Sequence, residues 1–389
     1  MQRKKKLTVI LCIAVLLSMT EGCGAETENT QTNSEKVQAE AEITLPDTEG
    51  TQGEPENPKV DTEDTQTGPE EDPIKSQDAY VKQGDSVAEG GEKFKCNPRA
   101  ISAYTEEIFT KEIIQAWNNL LDAFFAGEDT FECADQDTYS WMIHYFPYYY
   151  FPVIGELIEP VYGDVVENGV APFKYTATRE ECEKKTAEFE QLMEDILNTT
   201  MKENYSDLEK ALSLYQYFSS HYEYDLETYR RMDDEFVEDT DAYRLFMTGH
   251  GICSEVAGAY SFLLIQAGVD ATVMAAQSDV SDSHEWSFVR INGKSYHIDP
   301  TYALSTDSQL AYFMMNDEQR YETYAYNDLF IAGVYGQEHE IQGYKAADDT
   351  YRPWWDWYMT GLDTEKNIIS YYYFDESENY QEAEYKYEE

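Results

Sequence analysis

The run HEWSFVRI-NG-KSYHID, from His284 to Asp299, carries the strongest short-range folding instruction in the chain. An Asn-Gly pair between two β-type runs marks a two-residue hairpin, because both central residues of that turn take positive φ. With Asn292 and Gly293 as the turn, Ile291 pairs with Lys294 and Trp286 falls opposite Asp299. Side chains two apart on a strand share a face, and so do paired residues. His284 and Asp299 therefore project to one side as diagonal neighbours, about 7–8 Å apart at their α-carbons and within reach of a His–carboxylate hydrogen bond. A carboxylate that holds one imidazole nitrogen aims the other at a third group.

The third group is sought upstream, in GHGICSEVAGAYSFLLIQAG, Gly249 to Gly268. Val256, Ala257, Tyr260, Leu263, Leu264 and Ala267 recur at helical spacing, and Gly268 is a stop signal. Cys253 falls at the first turn of this helix, facing unpaired backbone N–H groups and the positive end of the helix dipole. Both favour thiolate, the nucleophilic form of the side chain. Gly249 and Gly251 would let the chain bend sharply and bring a substrate close to the backbone. Alone, such a cysteine is more often a small buried hydrophobe. The chain order Cys253, His284, Asp299 is what gives it chemistry.

In that order the segments GIC, HEW and YHIDPTY resemble the transglutaminase-like family, whose core carries a cysteine at a helix N-terminus, a His-x-Trp strand and an Asp-Pro-Thr strand. EKALSLYQYFSSHYEYD upstream and YFMMNDEQR downstream resemble the segments that often flank this core, so the likeness spans about Ser206 to Arg320. It implies an α+β fold of papain-like type, with a Cys-bearing helix packed on an antiparallel sheet. It also implies Cys253 as nucleophile, His284 as general base and then acid, and Asp299 as its orienter, with Trp286 and Gly251 in support. The backbone N–H of Cys253 would contribute to an oxyanion hole. Family members are cysteine peptidases, amidases or protein cross-linking enzymes, and some are inactive. Two positions depart from the pattern: Ser254 follows the cysteine, and Glu285 separates His from Trp. An acid beside the base would raise the histidine's pKa or steer a cationic substrate.

Other histidines compete. His297 shares the hairpin face and is a rival base, while His250, three residues before Cys253, suits a structural or rim role. His144, His221 and His339 lie in unrelated segments. Of the 33 tyrosines, some could form sugar-stacking surfaces, although packing is the blander account.

The rest of the chain reads as five parts. Residues 1–22 have an export-signal layout, QRKKK before LTVILCIAVLLSM, and Cys23 sits where a lipid-modified cysteine would. Residues 23–93 are rich in Glu, Asp, Thr, Gln and Pro and poor in apolar groups, the composition of a disordered acidic stalk. Residues 94–205 form an α-rich domain. Its first half repeats Ile108, Ile113, Trp117, Leu120, Leu121 and Phe124 before Gly127. HYFPYYYFPVIGELIEPVYGD then reads as strand or loop, and a Thr178/Glu181 capping box opens a long helix carrying Cys182, Phe189, Met193 and Ile196 on one stripe. A second capping box, Ser206 with Glu209, opens residues 206–335, the transglutaminase-like domain. Residues 336–389 are a C-terminal extension with an acidic, Tyr-rich tail.

A net charge of −49 argues against nucleic acid as a partner. No CxxC or His/Cys cluster suggests a structural metal, no cofactor is implied, and a disulfide among Cys96, Cys133 and Cys182 stays open. The expectation is a monomeric, membrane-anchored lipoprotein at the cell surface. It would be a thiol hydrolase or acyltransferase acting on peptide, protein or peptidoglycan-related amides. The competing expectation is a catalytically silent binding module for wall polymer or protein.

Overall fold

A turn with two positive-φ residues, Asn292 (51°) and Gly293 (73°), closes the hairpin at the centre of the fold. The computed structural model describes residues 93–232, 241–276, 284–304, 308–323, 329–331 and 345–388. The export signal, Cys23 and the acidic stalk, like His339, lie outside the described residues. The hairpin strands His284–Ile291 and Lys294–Ile298 pair antiparallel, Ile291 with Lys294 through Ser287 with Ile298. Asp270–Ala276 flanks the first of them, from Asp270 opposite Arg290 to Ala276 opposite His284. Leu329–Ile331 completes a four-stranded antiparallel sheet on the far edge.

The helix Cys253–Gln266 packs on this sheet. Every residue from Glu255 to Gln266 is buried, as expected of a helix apolar on nearly all sides. Two hydroxyls fix it there: Ser261 Oγ and Ser287 Oγ lie 2.8 Å apart, one donating to the other, with the Thr272 and Ala257 carbonyls within reach as the remaining acceptors. The opposite face of the sheet buries Met274, Ala276, Trp286 and Phe288 under Tyr104 and Ala346. The fold is thus mixed helix and antiparallel sheet, with the cysteine helix on the sheet as expected.

Both capping boxes form. Thr178 and Glu181 open Arg179–Thr200, and Ser206 and Glu209 open Asp207–His221. Cys182, Phe189, Met193 and Ile196 are all buried on the first of these helices. The helical pattern before Gly127 is two helices, Ala103–Ile108 and Lys111–Ala126. Thr110 breaks them by accepting the Ile113 N–H, and Gly127 ends the second at φ 77°.

The proline-marked segment corrects the expectation of strand or loop. Phe146–Tyr150 and Pro152–Leu157 are short helices, followed by only a three-residue strand, Ile158–Pro160. Pro147 and Pro152 sit in first turns, where a missing N–H costs no helical bond. Phe146, Phe151, Val153, Ile154 and Leu157 drive the segment into the core.

One hydrophobic core includes Trp117 and Leu197 from the α-rich part and Leu212 and Phe262 from the part beyond residue 205. It extends to Trp354, Ile369 and Tyr387. The Tyr- and Glu-rich C-terminal stretch is an antiparallel meander of Tyr358–Asp363, Ile368–Phe374 and Tyr380–Lys386. Trp357 stacks on Tyr371 with ring centroids 3.8 Å apart, and the Tyr387 hydroxyl bonds to Glu209, the capping-box glutamate. The thiols of Cys96, Cys133, Cys182 and Cys253 are all free.

Candidate active site

Cys253 is the first residue of its helix, and three segments meet just before it. The helix Ala242–Thr248 ends at Gly249, whose φ of 77° and N–H bond to Leu245 make the αL cap that glycine takes most readily. His250–Gly251 then pairs in parallel with Glu223–Tyr224. Glu223 N donates to Gly249 O and Asp225 N to Gly251 O, both at 2.9 Å. Gly249 makes the sharp bend expected of the two glycines. Gly251 instead provides clearance: a Cβ there would lie 2.9 Å from Leu245 Cδ1 and 3.2 Å from Glu255 Cβ.

At the mouth of the helix, Glu255 Oε2 accepts the Ile252 N–H at 2.7 Å. An isoleucine side chain cannot return the favour, so no side chain caps the N–H groups of the first turn. They are left facing outward beside the half-buried Cys253 thiol.

His284 opens its strand, and its ring is largely buried. Its Nε2 lies 2.6 Å from Asp299 Oδ2, and the ring also hydrogen-bonds the Cys253 side chain. Burial pushes the imidazole pKa down, but the Asp299 charge and the bonds to Asp299 and Cys253 outweigh it and hold it well above its ordinary value. Asp299 is fully buried and anchored twice. Its N–H donates to Tyr312 O at 2.8 Å, and its Oδ1 accepts the Thr301 N–H as the N-cap of Pro300–Ala303. The three side chains read from the sequence thus converge, with the imidazole in the middle.

Trp286 supports the histidine from below, its ring 5.8 Å from that of His284. Its Nε1–H donates to His297 Nδ1 at 2.9 Å, and His297 Nε2 lies 3.0 Å from Asp317 Oδ1. With Nδ1 accepting, Nε2 carries the ring proton and donates to Asp317. His297 is buried, and burial pushes its pKa down. Both its nitrogens are engaged within the core, so the rival base is a packing residue. His250 stands exposed beside Glu223, on the rim.

Glu285 alternates to the other face of the strand from His284. Its Oε2 is buried without a hydrogen-bond partner, and burial pushes its carboxyl up to about 7, opposed by the His284 charge. Its charge bears on Tyr149, whose hydroxyl is raised chiefly by burial.

Several residues at the site carry no motif. The Tyr224 hydroxyl is raised by burial first and then by the neighbouring Cys253, Tyr229 and Tyr302. Tyr302 meets the His284 ring edge-on at 6.0 Å and stacks on Tyr312 at 4.3 Å. Arg244 binds both Glu255 and Asp225. Among the described residues, no group of three or more His, Cys, Asp or Glu is placed to hold a metal ion. A cavity of about 300 Å³ lined by Phe124, Tyr175, Cys182 and Glu190 includes none of the residues around Cys253.

Residues 194–300 match the family model of the Transglutaminase-like superfamily. The chain carries a transglutaminase-like domain. The transglutaminase-like match encloses Cys253, His284 and Asp299. No curated protein matches the chain. Among solved structures it is similar to a TGase, at 15% identity and a TM-score of 0.24, over 39% of this chain and 46% of that one. It is also similar to the periplasmic domain of TgpA from Pseudomonas aeruginosa bound to ethylmercury, at 22% identity and a TM-score of 0.20, over 25% and 38%. The chain spans less than half the length of these solved structures.

Proposed function

We propose that the transglutaminase-like domain is a thiol acyl enzyme acting on amides, with Cys253 as nucleophile, His284 as proton carrier and Asp299 as its orienter. One observation carries this reading: a single imidazole ring bonded at once to a thiol at a helix start and to the buried carboxylate of Asp299, whose other oxygen caps a helix.

His284 takes the Cys253 proton, and the sulfur attacks the amide carbonyl carbon, forming the C–S bond. The carbonyl oxygen, now negative, lies against the uncapped first-turn N–H groups, with the Tyr224 hydroxyl as a candidate side-chain donor. The C–N bond then breaks, and the leaving amine takes its proton from His284. Water or a second amine attacks the thioester, gives a proton to His284 and expels the sulfur, which is reprotonated. Hydrolysis is the preferred outcome, since water is always present. The substrates are peptide or peptidoglycan-related amides, met at the cell surface where acylated Cys23 tethers the chain.

An iodoacetamide-type probe tests the reading. It should label Cys253 well ahead of Cys96, Cys133 and Cys182, and His284→Ala should abolish the lead. Equal labelling of all four thiols, or a lead untouched by His284→Ala, would leave a silent binding module.

A further inference from the structure

Arg244 occupies the short helix Ala242–Thr248, eleven residues before Glu255. Its Nε and Nη2 donate to the two oxygens of Glu255 at 2.7 and 2.6 Å, a bidentate fork. Its Nη1 donates to Asp225 Oδ2 at 2.8 Å. Glu255 is completely buried, and the oxygen that meets Nη2 also takes the N–H of Ile252, the residue before Cys253. Asp225 directly follows Tyr224. It caps the next helix by accepting the Thr228 N–H and hydroxyl, and its own N–H binds Gly251 O.

One guanidinium therefore ties together the strand bearing Tyr224, the turn that delivers Cys253 and the first turn of the cysteine helix. The missing Cβ of Gly251 makes room for Glu255 to lie in this position. The charges facing the cluster are acidic: Asp241, which caps the Arg244 helix through the Arg244 N–H, and Glu156 beyond it. Arg244 is the cation that balances them. Without it, Glu255 would be a buried carboxylate with no counter-charge, a costly arrangement that would swing toward water and release Ile252.

Resting on the reading of Cys253 as nucleophile, we propose that Arg244 is a positioning residue. Through Glu255 and Asp225 it holds the Cys253 thiol and the open first-turn N–H groups in register with Tyr224. Three of its five N–H donors go to the two carboxylates, and its influence on the sulfur passes through Ile252 and the Tyr224 strand.

The test compares Arg244→Met, Arg244→Lys and Glu255→Gln with the parent chain, measuring iodoacetamide alkylation of Cys253 from pH 5 to 9 and the thermal melt. Misplacing a reacting group by about an ångström costs up to roughly 10²-fold. Arg244→Met should slow Cys253 alkylation by about tenfold or more in protein that still melts cooperatively, and Arg244→Lys should recover part of the rate. Glu255→Gln, which keeps the shape and an acceptor for Ile252, should fall between. A purely structural role would lower the melt and leave the alkylation rate of the folded protein within twofold of the parent, and that result overturns the proposal. Should Arg244→Met fail to fold, the same criterion applies to Arg244→Lys and Glu255→Gln. A parent whose Cys253 shows no His284-dependent reactivity refutes the nucleophile reading. A parent that shows it, with folded Arg244 variants unchanged, refutes only the positioning role.

Discussion

His284 Nε2 meets Asp299 Oδ2 at 2.6 Å although Asp299 lies one residue beyond the last pair of the hairpin ladder, Ser287 with Ile298. Asp299 has left the strand to cap Pro300–Ala303 and is held by Tyr312 O and Thr301 N. Its oxygens are divided, one to the small helix and one to the imidazole. Asp299→Asn keeps an N-cap acceptor and an uncharged contact to the ring, so the fold should persist while Cys253 alkylation slows by roughly 10²-fold. The parent's His284 pKa is raised in the folded state, so the stabilisation it contributes is complete below the unfolded value near 6.5 and is lost as pH rises through the folded value. The stability gap between parent and Asp299→Asn should accordingly shrink as pH is raised from about 6.5, measured by urea denaturation at a series of pH values. A gap that widens with pH would contradict the pairing.

Glu285 shifts stability with pH in the same direction as His284, but through burial of its charge and at lower pH. Its carboxyl is pushed from the ordinary 4.5 up to about 7 in the fold. Between those values the folded chain binds more protons than the unfolded one, so stability falls as pH rises and levels off above about 7. The cost is on the order of 3 kcal/mol at most. Glu285→Gln removes it, so the variant should gain on the parent between pH 5 and 7. Its His284-dependent alkylation should be little changed, because Glu285 points away from the imidazole. Parallel stability–pH curves for the two proteins would show that Glu285 is solvated and unperturbed.

The core role of His297 gives a separate outcome. Trp286→Phe keeps an aromatic ring under His284 but leaves His297 Nδ1 without its donor, which costs about 1–3 kcal/mol for a buried acceptor. His297→Gln should likewise destabilise the chain, yet folded protein should retain the reactive Cys253 that His284→Ala abolishes. Loss of reactivity in well-folded His297→Gln would promote His297 to the proton carrier.

Much of the site was legible because it is built from local devices. A two-residue turn dictates which side chains face together, and the Thr178 and Ser206 caps announce their helices within four residues. The proline-rich aromatic segment misled because proline breaks a helix interior yet opens a helix well, and its neighbours suit strand and core equally. The C-terminal meander was hidden by its Glu- and Tyr-rich composition, because its strands bury little: Tyr380–Lys386 alternates only between exposed and half-buried residues. The Arg244 cluster joins residues 225, 244 and 255, and Asp225 reaches the other two through a two-residue parallel pairing. No periodicity in the sequence marks such a meeting.

The two glycines before the nucleophile separate conformation from clearance. Gly249 sits at φ 77°, where a Cβ has ample room, its nearest contact being His221 O at 4.0 Å. Gly249→Ala therefore carries only the backbone strain of the left-handed region, about 1–2 kcal/mol. Gly251 has no such strain, but its Cβ would press Leu245 and the Glu255 side chain that holds Ile252. Gly251→Ala should cost about 1–3 kcal/mol as overpacking. It should also slow Cys253 alkylation in folded protein, since Glu255 must shift to admit the methyl group. The discriminating measurement is the ratio of the two effects. Gly249→Ala should move the melt with the alkylation rate preserved, whereas Gly251→Ala should move both. Equal rates in the two variants would mean that Glu255 can give way without disturbing the thiol.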